Sequence, residues 1–174
     1  MKKLIVLIAA LMAALLIAGC ATKPPAPTGP TAADLIADAK SGASGVVAHA
    51  TSSSQSAAEQ NAINNLKRGL KFIVGELADA QVKSGRLTSD LAGGVKQNMA
   101  TALDRIPPSG AVKVGSGVDG ANRGWAVYSI NQDSALQLIT TAFNAIKDSV
   151  PVGNFTPSNG FADQFNKAAA QEWK

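Results

Sequence analysis

Ala111-Val112-Lys113-Val114 and Gly124-Trp125-Ala126-Val127-Tyr128-Ser129-Ile130 each alternate between two kinds of side chain, and Val118-Asp119-Gly120-Ala121 stands between them. A period of two marks a strand that buries one face. Asp-Gly between two such runs is a turn signal, because both residues tolerate the backbone angles a tight reversal needs. The stretch predicts an antiparallel hairpin. This decides the fold, since most of the remaining pattern is helical and its apolar stripes need a sheet to cover.

Upstream, Ser56-Ala57-Ala58-Glu59 matches a capping box, with Ser56 accepting from the backbone and Glu59 reaching back. Ile63, Leu66, Leu70, Ile73 and Leu77 then recur at alternating steps of three and four, which puts them on one helical stripe. Ser84-Gly85 supplies a stop. A second helix opens near Thr88, carries Leu91, Val95, Met99, Leu103 and Ile106 on one face, and ends at Pro107-Pro108. Gly45 to Thr51 reads as a short strand, preceded by a short helix over Ala32 to Lys40. After the hairpin a third long helix begins around Asp133 with Leu136, Ile139, Phe143 and Ile146 on one side, and Pro151 ends it. The order strand, helix, helix, strand, strand, helix over residues 32–150 predicts an α+β domain, a small antiparallel sheet with helices packed on one face. In the tail, residues 151–174, Phe161, Phe165 and Ala169 share the face of a short amphipathic helix. That tail either packs back on the sheet or offers an apolar patch to another subunit or envelope protein.

The start of the chain has a different character. Met1-Lys2-Lys3 is a basic head, Leu4 to Ala18 is an unbroken apolar run, and Gly19 leads to Cys20, the sole cysteine. The run is shorter than the roughly 20 residues that a helix needs to cross a bilayer core. A basic head, an apolar middle and a small-residue exit are the parts of a secretory signal. The segment resembles a bacterial lipoprotein signal peptide, residues 1–19 being removed and Cys20 carrying lipid. That resemblance implies a diacylglycerol on the Cys20 sulfur and an acyl chain such as palmitate on its new amino group. Two or more chains hold a protein firmly to a membrane where one does not. Ala21, in place of an aspartate, points by the same resemblance to the outer membrane, with the domain on the periplasmic side. Residues 20–31 then hold Pro24, Pro25, Pro27 and Pro30, which favour an extended linker.

Removing the signal takes two lysines and no acid from the 16 basic and 12 acidic residues, so the remainder is near +2. Such a balance, with no basic face carrying interleaved aromatics, excludes nucleic acid as a partner. Catalytic patterns are poor. His49 is the only histidine and lies in the first strand beside Val46 and Val47, where it reads as a structural residue. Ser52-Ser53-Ser54 reads as a loop and helix cap. Carboxylates are scattered singly, which suggests neither a paired-acid site nor a metal cage, and no cofactor motif appears. Gly115-Ser116-Gly117-Val118-Asp119-Gly120 joins two strands, whereas a phosphate cradle needs a helix after the loop. Lys67, Arg68 and Lys71 form a basic cluster, either a solvated face or a surface for lipid headgroups or peptidoglycan acids.

Two features carry a family resemblance: the helix Ser-Ala-Ala-Glu-Gln-Asn-Ala-Ile-Asn-Asn-Leu-Lys-Arg-Gly-Leu from Ser56, and the strand Arg123 to Ile130 leading into Asn131-Gln132-Asp133-Ser134-Ala135-Leu136. This layout is similar to the LPP20-like lipoproteins, bacterial envelope proteins that include flagellum-associated members. The resemblance implies a non-enzymatic, lipid-anchored envelope protein with a structural or assembly role and a protein partner or self-association. The alternative is a monomeric envelope lipoprotein that binds a small ligand or peptidoglycan fragment.

Overall fold

A computed structural model describes residues 29–174; the signal segment, Cys20 and most of the Pro-rich linker lie outside the described residues. In chain order the elements are helix α1 (Ala32–Ser41), strand β1 (Val46–Ser52), helices α2 (Gln55–Lys83) and α3 (Ser89–Arg105), strands β2 (Val112–Val118) and β3 (Gly124–Ile130), and helices α4 (Gln132–Ile146) and α5 (Phe161–Ala169). The strands form one antiparallel sheet with β3 at its centre and β1 and β2 at its edges. The protein is an α+β domain, and the hairpin is present.

Strand register assigns the faces. Val46 pairs with Ile130 and the ladder runs to Ser52 opposite Gly124. Paired residues share a face, so Val46, Ala48 and Ala50 join Ala126, Tyr128 and Ile130 on one side. Val47, His49 and Thr51 join Trp125, Val127 and Ser129 on the other. The first face meets the long helices. Leu66, Leu70, Ile73 and Leu77 of α2 are fully buried, and Val95, Met99 and Leu103 of α3 and Ile139 of α4 close the same core. Helix α1 lies against the second face, where Ala39 and the Trp125 ring both crowd Gly115.

The long helix starts two residues earlier than its pattern suggested. Ser54 is the N-cap, its hydroxyl accepting from the Ala57 N–H at 3.3 Å. The Ser56–Glu59 box does not form, because tertiary packing chooses the start: Gly124 abuts the Ser54–Gln55 backbone where the chain leaves β1. Glu59 instead crosses to β2, accepting from Gln55 at 3.1 Å and Lys113 at 3.2 Å. The glycine-rich stretch is also divided differently. Strand β2 runs to Val118, and the reversal is confined to Asp119–Arg123, with Asn122 at φ 60°. Gly115 and Gly117 are strand residues whose missing side chains make room for the Trp125 indole, which a Cβ would meet at 3.1 and 3.2 Å.

The C-terminal aromatics are part of the core. Phe155, Phe161, Phe165 and Trp173 are buried, and α5 packs mainly on α2 rather than on the sheet. The Trp173 ring stands 5.6 Å from that of Phe72, and its indole N–H donates to the Ala168 carbonyl at 2.9 Å. The basic cluster on α2 is split by the helical turn. Lys71 pairs with Asp104 at 2.6 Å and Lys67 donates to the Asp104 carbonyl at 2.7 Å, while Arg68 turns toward the C-terminal segment. Among the described residues no helix is long and apolar enough to cross a membrane.

Candidate functional site

Strand β1 has β3 on one side only, so its other edge must be satisfied some other way. The His49 N–H donates to the Trp173 carbonyl at 2.9 Å, and the His49 carbonyl accepts from Asn65 Nδ2, also at 2.9 Å. The last residues thus lie alongside β1 in a single parallel bridge, Ala48 opposite Trp173. Backbone groups alternate along a strand. Thr51, two residues beyond His49, therefore turns its N–H and C=O to the same open edge, and among the described residues nothing there bonds to them.

A groove of about 730 Å³ runs along this edge. Ala32, Ala33, Ile36, Ala37 and Lys40 of α1 form one wall, and Asn61, Asn64 and Asn65 of α2 the other. His49, Ala50 and Thr51 of β1 lie between, and Arg123, Glu172 and Lys174 complete the rim.

Helix α1 is held in place from the hairpin turn. The Asp119 side chain is shielded from solvent and accepts from the N–H groups of Ala32 (3.2 Å), Ala121 (2.9 Å) and Arg123 (2.8 Å). Arg123 adds its Nε and Nη2 at 3.0 and 2.9 Å. The Arg123 backbone N–H above all holds this carboxyl below its ordinary range; burial opposes, and the guanidinium and the other amides add to the lowering. Gly120 N–H donates to the Pro30 carbonyl at 3.2 Å. Thr31 caps α1 in a box with Asp34. The chain thus enters the folded body at the hairpin turn, beside the mouth of the groove.

Glu172 is the electrostatic centre of the rim. Its Oε1 takes Lys40 Nζ at 2.9 Å and His49 Nε2 at 3.1 Å, and its Oε2 takes Lys174 Nζ at 3.2 Å. Hydrogen bonding by Lys40 first, then Lys174 and His49, pulls its pKa from an ordinary 4.5 to about 2. Arg68 ties α2 to the terminal segment, donating to Asn65 Oδ1 at 3.3 Å and to the Lys174 backbone oxygen at 3.1 Å. Such an arrangement can bind: it offers cations, carboxamides and open backbone groups beside a wall of small apolar residues.

Of the residues singled out from sequence, His49 lies in this groove, Ser54 serves as a cap, and Cys20 lies outside the described residues. Among the described residues no group of three or more His, Cys, Asp and Glu is placed to hold a metal ion. Glu172, Lys40 and the α2 asparagines carried no local signal. His49 and Glu172 are separated by 123 positions, and only the fold joins them. Asp119 stood in the turn motif, but its hold on α1 could not be read from a reversal signal alone. Comparison of the chain with protein-family models, curated proteins and solved structures finds no match.

Proposed function

We propose that the chain is a lipid-anchored protein of the bacterial cell envelope, acylated at Cys20, held at the outer membrane on its periplasmic side, with a structural or assembly role rather than a catalytic one. The observation that carries this reading is the apolar run Leu4 to Ala18, too short to span, delivered through Gly19 to the only cysteine. The layout similar to the LPP20-like lipoproteins supports it, and so does the point of entry into the body. Pro30 and Thr31 are fastened to the hairpin turn and to α1, so the Pro-rich linker of residues 20–31 joins the folded body at that turn. Intact-mass measurement of protein extracted from membranes tests the reading. The expected mass is that of a chain beginning at Cys20 plus a diacylglycerol and an acyl chain. A full-length, unmodified mass contradicts it.

The β1 groove favours a second reading, in which the anchored protein binds a small ligand or peptidoglycan fragment as a monomer. Light scattering on the purified chain separates the two. A stable oligomer supports assembly, and a monomer that is stabilised by added muropeptide supports ligand binding.

A further inference from the structure

We infer that the groove along β1 is a binding site for an extended peptide carrying carboxylates, which adds to the sheet beside Thr51. The inference rests on the ligand-binding reading and specifies its ligand.

Three features of the groove converge on that chemistry. The edge is already used in this way once, since the Trp173 carbonyl accepts from the His49 N–H and the terminal segment lies parallel to β1. Thr51 offers the next outward N–H and C=O, and an extended chain is the ligand that meets both at strand spacing. The second feature is charge. Of the side chains that line the groove, Lys40, Lys174 and Arg123 are cationic and Glu172 is anionic. Glu172 is shared by Lys40, His49 and Lys174, so one carboxylate is spread over several donors and an incoming carboxylate meets cations in excess of acids. Third, Ala33 and Ala37 form a low wall that lets a backbone come close, while Asn61 and Asn64 stand opposite with carboxamides able to bond to it. Among the described residues no Phe, Tyr or Trp lines the groove, so they offer no stacking platform for a sugar ring.

The test uses the full chain, ¹⁵N-labelled in detergent micelles, titrated separately with three probes: the capped pentapeptide Ala-Glu-Val-Glu-Ala, its counterpart Ala-Lys-Val-Lys-Ala, and diacetylchitobiose. The acidic peptide should shift the Thr51 and Asn65 signals saturably, and the basic one should bind at least about tenfold more weakly. Joint Lys40→Ala and Lys174→Ala substitution should weaken the acidic peptide about tenfold, and added salt should do the same in part. Thr51→Pro should abolish binding, since proline is accepted on the outward side of an edge strand yet removes the donor. Should that variant unfold, slowed hydrogen exchange of the Thr51 amide in the saturated native protein decides in its place. Equal binding of both peptides, or shifts confined to β2, would overturn the inference. Groove shifts with the sugar but not with the acidic peptide would overturn the peptide class alone and leave ligand binding standing. No response to any probe would remove both.

Discussion

Asp119 holds the start of α1 and Glu172 lies on the groove rim, and each binds its surroundings through a carboxylate kept ionised. Asp119, its own side chain buried, joins three backbone amides and the Arg123 guanidinium, so removing it leaves several donors without their acceptor at once. Asp119→Ala should therefore lower the melting temperature by more than Arg123→Ala does, and should speed amide exchange along α1 ahead of the rest of the domain. Thermal melts and hydrogen exchange check both. Glu172 makes a pH prediction. Its pKa falls from 4.5 to about 2 on folding, so the unfolded chain takes up its proton first as the solution is acidified. The stability it contributes is complete above about pH 4.5 and drains away as the pH drops toward 2. Asp119, Asp34 and Glu59 are lowered too and slope the same way. Urea midpoints measured across this window should fall less steeply in Glu172→Gln than in the native chain. Parallel slopes would mean that the Lys40, His49 and Lys174 contacts are not formed in solution.

Among the elements, the terminal segment has the clearest energetic signature. Trp173 fills the gap between Phe72 of α2 and the β1 edge, and Gly69 of α2 lies against its ring, with no room for a larger residue without a shift. Trp173→Ala should cost about 3–5 kcal/mol, in the range of large-to-small core changes, and denaturant unfolding measures it. A cost near zero would show that the segment does not dock. Helix stripes were legible because burial repeats locally: Leu66, Leu70, Ile73 and Leu77 needed only the 3.6-residue period. The start of α2 was not, because Gly124 sets it from across the sheet, overriding a good local match at Ser56 and Glu59. The division of β2 was hidden for a related reason. Gly115 and Gly117 look like turn residues until the Trp125 ring is laid over them.

At the scale of the whole molecule, one core joins the sheet, the long helices and the last twenty residues, while the chain's entry and the open edge of β1 lie at the same groove. The hairpin, and with it the α+β class, could be read directly from alternation around Asp119-Gly120. The groove could not, because its charged residues come from α1, β1 and the C-terminal segment, and no spacing rule links Lys40, His49 and Glu172. The only large apolar side chains left well exposed among the described residues are Val112 and Val118 on the β2 edge, at 59% and 49%. That edge is where an assembly contact would have apolar surface to bury. Both proposed roles presuppose the proposed membrane anchor. The most direct test of that is cell fractionation of the native chain beside Cys20→Ser, with lipid labelling of each. The native chain should carry label and sediment with the outer membrane, and Cys20→Ser should lose the label and leave that fraction. Unlabelled native chain, or a variant that stays in the membrane fraction, would contradict the account.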